Sequence, residues 1–380
     1  MMNTFYSILV LLVVATLSFA QTLPPKEAYT LNVKQIHSGH SLTDPLFNPW
    51  PGQYRFLVFD VLGGDFDHLG KSTIPGSSLN YRWENAPGFG QPDARHDIVD
   101  WELLTITERV PLLYEGGSVL SWYLEALQAQ KEDLSLFVNN AWNNGNNGNG
   151  TPTLLWTTWT NIDDSDGPWR EMLDIQGSEW EKMQDYANEN RPDGAPPVYI
   201  IPGHKMMARL YDDIQLGLVP NITDISQFFS DNIHPNELGS YAIAMIHYAC
   251  IYNTSPVGLT NVLLPDSPSL NPSPALATYL QTMIWEEVTN YSRTGIYAVV
   301  SSNNTIDNAP KFSLYPNPAD DLLYIRDRDK SLDINSDYTI LNNQGAAVIS
   351  GNKETINIQE LASGSYTMKI GNQFFRFIKI

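Results

Sequence analysis

The stretch TLNVKQIHSGHSLTD, residues 30–44, carries the reading of the fold. Thr30–His37 has the apolar and β-branched make-up of a strand and ends at Ser38-Gly39. Gly39-His40-Ser41-Leu42-Thr43-Asp44 follows directly. A serine just past a strand, behind a glycine that permits a tight turn, can stand above a sheet with its own amide near its Oγ. A nucleophile needs that placement. Taken alone the signal is weak, because serines at strand turns are commonly capping residues.

Working outward, Lys26 to about Ile296 alternates apolar strand candidates with helical stretches. Trp101–Thr107 (WELLTIT), Thr153–Thr158 and Pro197–Ile201 read as buried strands. Ser118–Phe137, Ser178–Glu189 and Pro235–Tyr252 read as helices, the last with Leu238, Tyr241, Ala242, Met245, Ile246 and Ala249 on its apolar positions. Asn139–Gly150 (NNAWNNGNNGNG) reads as a flexible loop. This alternation predicts an α/β fold with a mainly parallel sheet, whose sites form at the carboxyl ends of the strands. Ahead of the last helix stands Asp231-Asn232-Ile233-His234-Pro235, with Pro235 expected in the first helical turn. A loop there can hold Asp231 beside His234, fixing the imidazole tautomer so that His234 can take a proton from Ser41.

Composition bounds the function. The 380 residues carry a net charge of -20, which repels phosphate backbones and excludes nucleic acid as a partner. All of that excess lies before residue 311, because Lys311–Ile380 holds eight basic and eight acidic residues. A single cysteine, Cys250, excludes an internal disulfide and a multi-thiolate metal site, and no spacing suggests a metal or other cofactor. Asn161–Gly167 (NIDDSDG) is rich in oxygen ligands but lacks the EF-hand pattern and reads as a solvated acidic loop. Residues 1–20 read as a secretory signal peptide with Ser18-Phe19-Ala20 at the cleavage site, its apolar run Ile8–Ala15 being too short to span a bilayer. The domains expected after it are a large one over 26–296, a polar linker over 297–310 and a tail over 311–380.

The tail alternates like a small antiparallel β-sandwich over Leu322–Ile325, Tyr338–Leu341, Ala346–Ile349, Thr355–Ile358, Tyr366–Ile370 and Phe374–Ile378. Its Tyr315-Pro316-Asn317-Pro318 start, Leu361-Ala362-Ser363-Gly364-Ser365-Tyr366 turn and Phe377-Ile378-Lys379-Ile380 close resemble the C-terminal sorting domain of type IX secretion in Bacteroidota. The resemblance implies an address read by the secretion machinery, with export through the periplasm to the cell surface or the medium.

The Gly39–Asp44 and Asp231–Pro235 blocks together resemble those of the SGNH (GDSL-type) hydrolases, which bracket a flavodoxin-like three-layer α/β domain. The resemblance implies Ser41 as nucleophile, His234 as general base and then acid, and Asp231 as its orienting partner. It also implies an oxyanion hole from the amides of Ser41 and Gly76. The chain departs from the family where G-x-N-D would supply an asparagine donor, because Thr107-Glu108-Arg109 stands there. Arg109 or a residue of Trp159-Thr160-Asn161 could supply the donor instead. His40 replaces the usual aspartate of the first block. His40, Glu108, Arg109, Trp159, Asn161 and His204 are candidate pocket residues, and Trp83, Trp156 and Trp159 are possible sugar platforms. The implied activity is hydrolysis of O-acyl esters, acetyl foremost, on a small molecule or a glycan. A non-catalytic glycan-binding or surface protein, and a lipase or thioesterase, are the alternatives.

Overall fold

The computed structural model describes residues 23–48, 52–115, 117–297, 312–315, 319–327, 337–342, 346–353, 355–370 and 373–379. The expected signal peptide, and all of the expected linker except Tyr297, lie outside them.

In chain order the first part comprises β1 (Gln35–Gly39), α1 (Gln53–Phe56), β2 (Leu69–Thr73), α2 (Leu79–Glu84), β3 (Leu103–Ile106), α3 (Ser121–Asn144), β4 (Thr153–Thr157), α4 (Trp169–Glu189), β5 (Tyr199–Pro202), α5 (Gly203–Gln215), α6 (Glu237–Tyr252) and α7 (Pro274–Asn290). The five strands form one parallel sheet in the order β2-β1-β3-β4-β5. Every residue of β1, β3, β4 and β5 is buried, as a sheet covered on both faces requires. Helix α2 packs on α3 and α3 on α4, while α1 packs on α6 and α6 on α7, giving a helical layer on each face. The strand order reverses direction between β1 and β3. Open α/β sheets of this order bind ligands in the crevice at that point, and Ser41 follows β1 there.

Helix α6 is apolar all round and is buried from Gly239 to Tyr252, because α7 covers the side that α1 and the sheet leave open. Asn236 caps it, accepting from Leu238 N at 2.9 Å and Gly239 N at 3.2 Å. Pro235 therefore lies ahead of the helix, where it bridges to Phe229, and not in its first turn. The asparagine-rich stretch is also corrected. Asn139–Asn144 forms the last turns of α3, with Ala141 fully buried, Asn144 Nδ2 donating to Asn140 Oδ1 (2.9 Å) and Asn140 Nδ2 to Arg95 O (2.8 Å). Gly150, at φ +88°, closes the turn against Trp142, whose ring would lie 2.5 Å from any Cβ at that position. The two ends of this part meet: Lys26 N donates to Gly295 O (2.7 Å), Tyr297 Oη to Leu23 O (2.7 Å), and Tyr199 Oη to Pro24 O (3.0 Å).

The tail contains β6 (Phe312–Tyr315), β7 (Leu322–Asp327), β8 (Tyr338–Leu341), β9 (Ala347–Gly351), β10 (Thr355–Asn357), β11 (Gly364–Ile370) and β12 (Gln373–Lys379). They pair antiparallel as two sheets, β10-β7-β6 and β12-β11-β8-β9. Leu323, Ile325 and Ile356 of the first sheet share one core with Ile340, Met368, Ile370 and Phe377 of the second, so the tail is a β-sandwich.

Candidate active site

The serine turn is tight because Gly39 has no side chain. A Cβ there would lie 2.0 Å from Thr43 Oγ1. Thr43 N donates to His40 O (2.8 Å) and closes the turn, leaving Ser41 half-buried at its crest. His40 holds the turn from beneath. Its Nε2 lies 3.0 Å from Glu108 O, an atom that can only accept, so Nε2 carries the proton and Nδ1 accepts from Leu42 N at 3.3 Å. Burial, with Arg82 adding to it, pushes the His40 imidazole down to about 3, so the ring is neutral.

Ser41 Oγ lies 2.8 Å from His234 Nε2, and His234 Nδ1 lies 2.7 Å from Asp231 Oδ2. Partial burial pushes the Asp231 carboxyl up, but the His234 and Ile233 amides on Oδ1 and the imidazole on Oδ2 outweigh it and hold the group at about 2. An ionised carboxylate only accepts. Nδ1 therefore carries the proton, and Nε2 is left to accept from the Ser41 hydroxyl. The His234 and Asp231 side chains are 41% and 55% exposed, so this constellation opens to solvent.

The loop that carries Asp231 and His234 is fixed from several sides. Ser230 N donates to His234 O (2.8 Å), Trp159 Nε1 to Ile233 O (3.0 Å), Ile162 N to Asn232 O (2.8 Å) and Asn232 Nδ2 to Asp163 Oδ2. The acidic loop is accordingly structural. Asp163 grips the Asp231–His234 loop, Asp164 Oδ1 accepts from Trp169 N at the start of α4 (2.7 Å), and Asp166 Oδ2 accepts from Asn161 N (3.1 Å) and Nδ2 (2.8 Å).

Gly76 sits at φ +66° in the turn after β2, with open space where a side chain would be. Ile74 N donates to Gly39 O (3.0 Å), so this turn adjoins the serine turn. Neither the Ser41 nor the Gly76 amide donates to any acceptor among the described residues. Arg82, a residue that sequence reasoning missed, locks the arrangement. It is 4% exposed and donates to Ser77 O (2.8 Å), Ser77 Oγ (3.0 Å) and Thr107 O, joining the Gly76 turn to the end of β3. Burial pushes its guanidinium down to about 10 against the opposing charge of Glu108. NYRWEN around it offers no local signal beyond a short polar helix.

Several expected pocket residues lie elsewhere. Glu108 turns inward: both carboxylate oxygens accept from Leu79 N (3.1 Å each), capping α2, and burial raises its carboxyl. Trp159 is fully buried, edge-on to Trp156 and Phe229, and Trp156 is buried too, so neither is a sugar platform. Trp83 is half-buried, edge-on to Phe137. His204 is 1% exposed, bonded to Thr157 Oγ1 (2.7 Å) and facing Gly177 and Tyr291, because α5 begins beneath the strand ends and not at their rim. His40 supports the serine from below and lines no cleft. Asn161 is half-buried and committed to Asp166, while Arg109 is exposed.

These interior imidazoles set a pH dependence. Burial pushes His40, His204 and His247 each down to about 3, and His37 well below its usual value. The unfolded chain, with histidines near 6.5, binds protons between pH 6.5 and 3 that the folded chain does not. Stability is therefore full above pH 6.5 and falls with acidification, by about 1.4 kcal/mol per pH unit for each histidine. Thermal unfolding followed from pH 7 to pH 4 is expected to show a steep decline in Tm, and a flat profile would contradict the burial argument.

Residues 313–379 match the family described as secretion system C-terminal sorting domain. The tail is thus a sorting domain of the type IX pathway, and the chain is exported to the cell surface or beyond. Among the described residues, no helix is long and apolar enough to cross a membrane. No curated protein matches the chain in sequence. Among solved structures, a DUF4886 family protein from Bacteroides uniformis ATCC 8492 is similar over 68% of this chain and 95% of its own, at 13% identity and a TM-score of 0.47. A putative GDSL-like lipase from Parabacteroides merdae ATCC 43184 is similar over 59% of this chain and 99% of its own, at 16% identity and a TM-score of 0.39. LAE5, an α/β hydrolase enzyme from the metagenome of Lake Arreo, Spain, is similar over 58% of this chain and 95% of its own, at 16% identity and a TM-score of 0.37.

Proposed function

We propose that this chain is an exported serine hydrolase that cleaves O-acyl esters, acetyl foremost, from polysaccharides. The observation that carries the reading is the unbroken relay Ser41 Oγ, His234 Nε2, His234 Nδ1, Asp231 Oδ2 at the carboxyl edge of the sheet, with gaps of 2.8 and 2.7 Å. In this mechanism Ser41 Oγ attacks the ester carbonyl as its proton passes to His234 Nε2. The imidazolium then protonates the departing sugar oxygen, leaving acyl-Ser41. Water attacks that ester with His234 again taking the proton, and the acid leaves as Ser41 regains its hydrogen. The unpaired amides of Ser41 and Gly76 would receive the carbonyl oxygen as it gains charge. An open, solvent-facing relay suits an ester borne on a bulky polymer, and a net charge of -20, all of it before residue 311, favours a neutral glycan over a strongly acidic one.

The test is covalent labelling of the purified chain with a fluorophosphonate, in which the Ser41 oxygen bonds to phosphorus and fluoride leaves. Peptide mass spectrometry is expected to find the adduct on Ser41, and His234→Ala is expected to remove it. Absence of any adduct, with ester turnover surviving in Ser41→Ala, would overturn the assignment.

A further inference from the structure

We infer that the Arg109 guanidinium is the third donor to the oxyanion formed at Ser41, in the place where an asparagine side chain would otherwise stand. The inference rests on the serine-hydrolase reading above and assigns one more residue to it.

The first support is register. β1 and β3 pair with Gln35 opposite Leu103 and Ser38 opposite Ile106. Beyond the strands the two chains stay joined, by Thr107 N to Ser38 O (3.2 Å) and by His40 Nε2 to Glu108 O (3.0 Å). Continuing that pairing sets Arg109 level with Ser41, across the crevice where the strand order reverses. Neighbouring strands lie about 4.8 Å apart, a gap that an arginine side chain spans.

The second support is orientation. Successive side chains along extended backbone point to opposite sides. Glu108 points inward to cap Leu79, and Arg109 is exposed. Its charge is felt at His40, the residue immediately before Ser41.

The third support is elimination among the side chains that could serve. Trp159 Nε1 is committed to Ile233 O and its ring is fully buried. Thr160 is 1% exposed and cannot meet a substrate. Asn161 Nδ2 is committed to Asp166 Oδ2 at 2.8 Å. The Arg109 guanidinium makes no hydrogen bond or ion pair with any described residue, although the half-buried Arg170 and Lys182 side chains are held in ion pairs. It is a donor fork without an acceptor, beside a nucleophile that creates one. A guanidinium donates through two N–H groups at once, so it can replace an amide donor at a developing negative oxygen.

The experiment compares wild type, R109A, R109Q and R109K as full chains on p-nitrophenyl acetate, a small uncharged ester. Fluorophosphonate labelling and thermal unfolding are measured alongside. A donor used in the transition state predicts kcat about 100- to 1000-fold lower in R109A with KM little changed, partial recovery in R109Q and R109K, and an unaltered Tm. Slower labelling that still ends on Ser41 is expected in R109A. Unchanged kcat in R109A, or an effect confined to KM, would overturn the inference while leaving the serine-hydrolase reading intact. A wild-type chain that neither turns over ester nor takes the label would overturn both.

Discussion

Ser41→Ala and His234→Ala are each expected to lower kcat for ester hydrolysis by about 10⁴- to 10⁶-fold, and the double variant to be no worse than the more damaged single one. The non-additivity follows from the relay. Ser41 Oγ is a weak nucleophile until His234 Nε2, 2.8 Å away, accepts its proton, and His234 has no other task once the hydroxyl is gone. Asp231→Asn is expected to cost about 10⁴-fold, because an amide presenting N–H to Nδ1 would move the imidazole proton to Nε2, where it opposes Ser41. It would also weaken the Oδ1 grip on the Ile233 and His234 amides, which shapes the loop. With its carboxyl held at about 2, Asp231 is ionised at neutral and mildly acidic pH, so an acid limb of the rate profile there would not be its titration. Steady-state kinetics on a chromogenic acetyl ester measure all three. Equal activity in Ser41→Ala and wild type would contradict the mechanism.

Arg82→Met is expected to lower folding stability by about 3–5 kcal/mol, the usual cost of removing one member of a buried charged arrangement. The change deletes the donors to Ser77 O, Ser77 Oγ and Thr107 O and leaves the interior Glu108 carboxylate without the cation that offsets its burial. Adding Glu108→Gln in the same chain is expected to recover part of the loss, since the uncompensated charge is then gone. Arg82→Lys should fall between, because a single ammonium cannot span both strand ends as the guanidinium fork does. Chemical denaturation of the four chains measures this. Activity is expected to drop in parallel, because the same bonds hold the turn that presents the Gly76 amide. An Arg82→Met chain as stable as wild type would contradict the account.

The sheet and the two blocks that carry Ser41 and His234 were legible in the sequence because both rest on short-range patterns. Buried parallel strands are continuous apolar runs, and the Gly39–Asp44 and Asp231–Pro235 blocks each stand at the edge of a regular element. Which side a residue takes after a strand ends was not legible. Glu108 and Trp159 lie at the correct edge of the sheet but turn inward, one toward the start of α2 and the other beneath the loop of Ile233, and both destinations are distant in sequence. The Asn139–Asn144 segment had the composition of a loop, yet side-chain bonds and the burial of Ala141 carry α3 through it. β2 was hidden because LGKST lacks a clear apolar alternation. The start of α7 carries local signals in the sequence: Ser273 caps it, accepting from Leu276 N, and Pro274 opens its first turn.

The meeting of Leu23–Lys26 with Gly295–Tyr297 has a consequence for how the molecule faces its surroundings. Tyr199, which reaches Pro24 and lies against Gly295, is the first residue of β5, so the junction stands at the amino edge of a sheet whose carboxyl edge bears Ser41. The sheet domain thus ends, at Tyr297, on the pole opposite Ser41. A molecule tethered through that point would turn its Ser41 pole outward to the medium, and one severed there would lose no strand or helix of the sheet domain.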